Sequence, residues 1–277
     1  MNSDYEVQIE QEWEEFKKNE VYPNILLLGM TGCGKSSLIN TVFGGALAEV
    51  NDTTPETQGF KKFEGKNTGQ HVNIIDSKGY ELEHNEGLNN YVSNLKAYID
   101  SKNGTENEIH LVWYCISVAG KRIQDMDISI LKEVSNIERI KDKMCVVLTK
   151  CDEDDEIGSV AEKFKEIVDN ETGGFLRVFQ VSHLKELPLE LENLICWSAE
   201  QLTDEDMRVS FVAGQKWSLE LKKEEANRVI NLAVAAAGAA TIVPLPIATS
   251  PALVAIQFRM VMGITKVFGF QNMSTLT

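Results

Sequence analysis

The spacing of apolar and polar positions divides the chain into two unlike parts. From Asn24 to Trp197 short apolar runs alternate with amphipathic stretches. The runs Ile25–Leu28, Phe60–Glu64, Val72–Asp76, Ile109–Ser117, Met144–Thr149 and Leu194–Trp197 read as strands, and Leu176–Val181 as a short extra one. Between them the apolar positions of 36–43, 88–100, 125–137 and 160–169 predict helices. Alternation of this kind predicts an α/β fold, a mostly parallel six-stranded sheet flanked by helices. No internal repeat or low-complexity linker interrupts it.

Both ends depart from that rhythm. Residues 5–18 are strongly acidic, with Trp13 and Phe16 as apolar marks, and predict a leading helix with a solvated face. After Trp197, Thr203 with Asp206 three residues on reads as a capping box opening a long helix to about Asn227. An Ala-rich run from Val229 to Val243 follows. Pro244-Leu-Pro246 interrupts it, and a second apolar stretch runs from Ala252 to Phe270 with Gln257, Arg259 and Lys266. This predicts a helical hairpin with a proline turn. The expected organisation is a leading helix over 1–21, a central domain over 22–202 and a helical region over 203–277.

Composition adds bounds. Hydrophobic residues at 43% and charged residues at 25% of 277 are ordinary for a soluble globular chain. A net charge of −15 argues against a nucleic-acid partner, whose backbone needs clustered Lys and Arg, and weakly against anionic lipid. No basic leader with an apolar core stands at the N-terminus. The five cysteines form no C-x-x-C pair. A cytoplasmic setting with free thiols is the expectation, with Cys33 read as a tolerated loop residue rather than a reactive one.

The candidate chemistry sits at the ends of the predicted strands. Gly29-Met-Thr-Gly-Cys-Gly34-Lys35-Ser36 fits G-x-x-x-x-G-K-[ST] between a strand and a helix. In such a loop the backbone N–H groups turn inward, and the helix N-terminus adds positive potential for phosphate. Thr31, Gly32, Cys33, Gly34, Lys35, Ser36 and Ser37 are the expected phosphate contacts. Lys35 would reach the β and γ phosphates, and the Ser36 hydroxyl would ligate Mg²⁺.

Asp76-Ser-Lys-Gly79 closes the third predicted strand; there Asp76 could hold Mg²⁺ through water and the Gly79 N–H could sense a γ phosphate. Thr149-Lys150-Cys151-Asp152 fits [NT]-K-x-D. A carboxylate at Asp152 can accept both the N1–H and the 2-amino group of guanine, whereas adenine would leave it unpaired. The Lys150 stem can cover one face of the base. Ser198-Ala199, after the last predicted strand, matches an S-A element whose backbone N–H meets the guanine carbonyl. In 51–58 three threonines could supply a hydroxyl to Mg²⁺; Thr57 is chosen, with Thr54 as runner-up.

Taken in order, these pieces resemble a P-loop GTPase domain over about residues 22–225, and within that superfamily the bacterial Era-like branch. Leu111-Val-Trp-Tyr-Cys-Ile-Ser117, Lys121-Arg122-Ile123 and Asp125-Met126-Asp127 are similar to a subgroup with an Ala-rich helical C-terminal region of unassigned role. The resemblance implies GTP and GDP as ligands, Mg²⁺ as cofactor, and catalytic roles for Lys35 and Thr57. Two positions depart from better-known relatives. Tyr80 replaces the water-orienting Gln of Ras-like enzymes, and Gly32 stands where potassium-activated relatives carry Asn. Slow intrinsic turnover follows as an expectation. Glu81, Glu83, His84, or Arg122 acting across a homodimer on the nucleotide face, are candidate substitutes. The functional expectation is a GTP-hydrolysing switch. Alternatives are a membrane-associated or self-assembling device using the hairpin, peripheral at the inner face of the membrane, or a nucleotide-bound scaffold with negligible turnover.

Overall fold

A computed structural model describes residues 18, 20–45, 54–57, 59–65, 70–77, 85–154, 158–184, 186–241 and 249–270. The expected leading helix falls almost wholly outside them. β1 (Asn24–Leu28) is buried at every position, as a central parallel strand must be when helices cover both faces. It pairs in parallel with β4 (Asn73–Ser77) on one side and β5 (Leu111–Ser117) on the other. Beyond β5 come β6 (Met144–Thr149) and β7 (Arg177–Gln180), also parallel. Beyond β4, β3 (Phe60–Phe63) and β2 (Thr54–Thr57) form an antiparallel edge. The order β2-β3-β4-β1-β5-β6-β7 makes seven strands among the described residues, one more than expected.

Alternation along the strands divides the core in two. Ile25, Leu27, Trp113, Cys115 and Val147 meet α1 (Lys35–Phe43), α5 (Leu191–Gln201) and α6 (Glu205–Gly214). Leu26, Leu28, Tyr114, Ile116 and Val146 meet α2 (Asn85–Lys102), α3 (Asp125–Ser135) and α4 (Ser159–Thr172). The polar residue that opens β1, Asn24, is fully buried and satisfied. Its amide donates to the carbonyls of Glu106 (3.1 Å) and Glu108 (2.8 Å) and its oxygen accepts from Asn73 (2.9 Å).

Two expectations are corrected. Leu194–Trp197 is no strand but the middle of α5, whose Leu191, Leu194, Ile195, Ser198 and Ala199 recur at helical spacing and are all buried. A four-residue apolar run has no period of its own, and the flanking residues decide it. The last strand is instead the short run at 177–180. The long helix expected from Thr203 is two helices. The side chain of Asp204, not Thr203, caps α6 by accepting from the Met207 N–H at 2.9 Å. α6 stops before Gln215, and α7 starts at Leu219 and runs to Thr241. Gln215 is fully buried and builds the break. Its side-chain oxygen accepts from the N–H groups of Trp217 and Ser218 at 2.8 Å each, while the Ser218 hydroxyl accepts from Leu221 N–H at 3.0 Å. α8 (Thr249–Val267) returns against α7 as the second arm of the hairpin.

An ion pair pins α7 to α6. Arg208 Nε stands 2.7 Å from Glu225 Oε2, with the Glu225 side chain only 2% exposed. Removing one partner of a buried pair strands the other. Arg208→Met is therefore expected to lower stability by about 3 kcal/mol in urea unfolding. Replacing both residues, with Glu225→Leu added, is expected to recover most of that loss.

Candidate nucleotide site

The carboxyl ends of β1, β4, β5, β6 and β7 lie along one edge of the sheet, the position where open α/β sheets take ligands. At the end of β1 the chain turns through Gly29 with φ 130°. A Cβ there would stand 2.2 Å from the Cys115 carbonyl oxygen and 2.9 Å from Cys33 Sγ, so no side chain fits. Gly34, at φ 98°, opens α1, and a Cβ on it would press on the Thr149 hydroxyl at 3.3 Å. The loop is thus wedged between β5 and β6. Thr149 Oγ1 donates to the Cys33 carbonyl, fixing loop and base-side strand together.

Within the loop Thr31 and Gly32 are exposed, and Ser36 and Ser37 are exposed at the start of α1. Lys35 is buried, its ammonium donating to the carbonyls of Gly29 (2.9 Å) and Met30 (3.0 Å). Asp76 lies one strand over, in register with Leu27. Its Oδ1 is buried with no hydrogen-bond partner among the described residues. Burial pushes its carboxyl above the usual range, opposed by the charges of Lys35 and Lys61. An orphaned carboxylate oxygen and a free hydroxyl beside a phosphate loop are hard oxygen donors of the kind Mg²⁺ takes. Ser36 and Asp76 fit that ion. Thr57 ends β2 opposite Phe60. Gly79, Tyr80, Glu81, Glu83 and His84 lie outside the described residues.

On the base side, Lys150 takes the left-handed conformation (φ 58°), turning the chain sharply after β6. Asp152 follows in a single 3-10 turn, its side chain 9% exposed and its Oδ1 without a hydrogen bond. The facing wall is the end of β7. Cys151 N–H donates to the Val181 carbonyl at 3.2 Å, and His183 Nδ1 lies 3.7 Å from Asp152 Oδ1. Gly34, Ser37, Lys150, Ser182 and His183 help line a cavity of 130 Å³ between the phosphate loop and these two turns.

That arrangement corrects one expectation. Ser198 and Ala199 are fully buried inside α5, where Ser198 Oγ accepts from the Trp113 indole at 3.1 Å, so they are not at the site. Of the residues that follow the last strand, His183 stands against Asp152, and Ser182 and His183 both line the cavity. The signal for them was the apolar run at 176–181 with a serine directly after it. A second cavity, 370 Å³, lies on the β5 side of the loop, with Thr31, Gly32, Cys33 and the exposed Arg122 among its walls.

Comparison with known proteins finds likenesses to GTPases. Residues 24–150 match the family described as 50S ribosome-binding GTPase. Two curated relatives are cell division control protein 10 of Candida albicans, 24% identical over 140 residues, and that of Saccharomyces cerevisiae, 23% identical over 221. The matches take 42% and 68% of this chain but span only 39% and 59% of those proteins. Among solved structures, a probable GTP-binding protein engB is 14% identical, with 65% of this chain and 98% of that one covered at a TM-score of 0.45. Toc33 from Arabidopsis thaliana in complex with GDP and Mg²⁺ is 18% identical, with 71% and 91% covered at 0.45. The strand order, the loop after β1 and the match over residues 24–150 give the central domain a P-loop GTPase fold.

Burial of Asp76 has a consequence for stability. Its raised carboxyl disfavours the charged form in the folded, nucleotide-free protein. The stability belonging to the protonated form is complete below the ordinary aspartate value and is lost as pH rises through the raised one. Asp76→Asn is expected to raise the melting temperature of the nucleotide-free protein near neutral pH, with little gain at about pH 4. The same variant is expected to lose the tightening of nucleotide binding by Mg²⁺, read by calorimetry with and without the ion.

Proposed function

We propose that this chain is a guanine-nucleotide switch that binds GTP with Mg²⁺ and hydrolyses it slowly to GDP and phosphate. The observation that carries the reading is the Asp152 carboxylate, nearly buried and with no hydrogen bond to its Oδ1, on the turn whose Lys150 and Glu153 help line a cavity that reaches Gly34 of the phosphate loop. An unpaired buried acceptor is costly, and a base offering two donors repays that cost. Guanine does so through its N1–H and 2-amino group. The Lys150 stem lies along the face of such a base, and the backbone beyond β7 at Ser182–His183 closes its far side.

At the phosphate end the loop N–H groups and Lys35 hold the β and γ phosphates, and Ser36 with Asp76 holds Mg²⁺, which neutralises charge on those oxygens when bound. Thr57 and Gly79 are the groups that would report the γ phosphate, by ordering the segments around them in the triphosphate state and releasing them after hydrolysis. Tyr80 in place of a water-orienting glutamine supports slow turnover. Arg122, exposed on the cavity beside Thr31 and Gly32, supports acceleration by a second copy facing the nucleotide.

Three variants test the reading. Lys35→Ala is expected to abolish GTP binding in equilibrium dialysis. Asp152→Asn is expected to lose about ten- to hundredfold in GTP affinity, the worth of hydrogen bonds to a charged acceptor. ATP bound by the parent protein as tightly as GTP would remove the guanine assignment. Phosphate release per molecule is expected to be slow at low concentration and to rise with protein concentration, and Arg122→Ala to flatten that rise.

A second reading concerns the hairpin. Val229 to Phe258 contains no charged residue, and Val234 and Val254 stand 63% and 61% exposed on α7 and α8. Among the described residues no helix is long and apolar enough to cross a membrane. A hairpin dipping into one face of a bilayer is the version that remains. The full-length protein is then expected to float with zwitterionic phospholipid vesicles, and Val234→Lys with Val254→Lys to stay at the bottom of the gradient. Parent protein left behind in both nucleotide states would remove this reading.

A further inference from the structure

Two thiols meet under the phosphate loop. β1 and β5 run in register to Leu28 and Tyr114, so Cys115 comes level with Gly29. The loop then brings Cys33 back over the same point. A Cβ on Gly29 would touch both the Cys33 sulfur (2.9 Å) and the Cys115 backbone carbonyl (2.2 Å), so only a bare glycine lets the loop thiol come in against β5 at Cys115. Cys33 and Cys115 therefore sit side by side against Gly29. Both residues lie in one core cluster, and both help line the 370 Å³ cavity beside Arg122 and Ser117.

Their chemistry is unequal. The neighbouring Cys115 thiol, aided by the Lys35 charge, draws the Cys33 thiol below its ordinary value against the effect of burial. Cys33 in turn, with burial, pushes Cys115 well up. The thiolate is the reactive form of cysteine, so Cys33 is the attacking sulfur and Cys115 its protonated neighbour.

We propose that Cys33 and Cys115 are a redox modification site, at which a peroxide oxidises the loop thiol and Cys115 resolves it into a disulfide that shuts the loop to GTP. In the first step the Cys33 sulfur attacks one peroxide oxygen, the O–O bond breaks, and a sulfenic acid forms with release of water. In the second, the Cys115 sulfur displaces that hydroxyl as a second water, leaving the S–S bond. Two thiols lose two hydrogens and two electrons, and one hydrogen peroxide becomes two waters. The bond ties the middle of the phosphate loop to β5 while Lys35 is still held by the carbonyls of Gly29 and Met30. A loop so tethered cannot settle its N–H groups around phosphate. The effect on GTP rests on the guanine-nucleotide reading above, whereas disulfide formation does not.

The test uses the full-length protein. GTP affinity of the reduced protein is measured first; failure to bind there counts against the nucleotide reading itself. The protein is then treated with hydrogen peroxide, quenched with catalase, alkylated, and mapped by non-reducing peptide mass spectrometry. A Cys33–Cys115 linked peptide is expected, with GTP affinity lower by about tenfold or more and restored by dithiothreitol. Cys115→Ala is expected to bind GTP normally when reduced, to form no link, and to yield a Cys33 sulfenic acid trapped by dimedone. Both thiols recovered free after peroxide, a link to Cys145 instead, or a Cys33–Cys115 link that leaves GTP affinity unchanged would each overturn the proposal. Mapping of the parent protein decides the first two even if the variant fails to fold.

Discussion

The site depends on β1 lying between β4 and β5. The chain leaves β1 through the phosphate loop and α1, builds β2, β3 and β4 on one side, then crosses to lay down β5, β6 and β7 on the other. That reversal opens a crevice at the carboxyl ends of the strands, and nothing in the crevice can be placed without it. The requirement reaches a single atom. Where β1 ends, the Cys115 carbonyl comes so close that residue 29 must lack a side chain. The first glycine of the loop is therefore set by strand packing as much as by phosphate, and the two demands coincide at one position.

Two further contacts hold the crevice to one geometry. The Thr149 hydroxyl reaches from the end of β6 to the Cys33 carbonyl, so the residue that opens the base-recognition turn also braces the phosphate loop. The Cys151 N–H to Val181 carbonyl bond then ties that turn to the end of β7. Phosphate side and base side are thus linked by backbone and one hydroxyl, with Asp152 and Asp76 left as half-buried carboxylates, each with an Oδ1 that accepts no hydrogen bond among the described residues. Folding bears the cost of those two groups in the empty protein. A triphosphate with its cation and a guanine base carry the complementary charges and donors that offset it.

Much of this was legible in the residues, for identifiable reasons. β1, β4, β5 and β6 are buried on both faces and read as continuous apolar runs, which few other elements produce. The phosphate loop and Thr149–Asp152 carry their own chemistry and were placed without the fold. What escaped was decided by neighbours. Leu194–Trp197 reads as a strand by itself, and only Leu191, Ser198, Ala199 and Leu202 around it reveal the helix. That error displaced the turn after the last strand from Ser182–His183 to Ser198–Ala199. The break at Gln215–Ser218 escaped for another reason. A glutamine carries no turn signal, and here it makes one through three side-chain bonds to nearby backbone.

That break explains why the C-terminal helices are bound to the nucleotide domain. A helix leaves its last four carbonyls unpaired, and α1 ends at Phe43 with those of residues 40–43 to satisfy. The Gly44 N–H takes the Asn40 carbonyl at 3.0 Å. The two beyond it are answered from the α6–α7 junction: the Trp217 indole donates to Thr41 at 2.5 Å and the Lys216 N–H to Val42 at 2.9 Å. Phe211 meets Phe43 edge to face beside them. The helix whose N-terminus faces phosphate is therefore closed at its other end by residues that start the hairpin. A straight helix through 215–218 would have carried Trp217 and the Lys216 N–H away from α1. It would have left those carbonyls bare, so the kink is what joins the hairpin to the central domain.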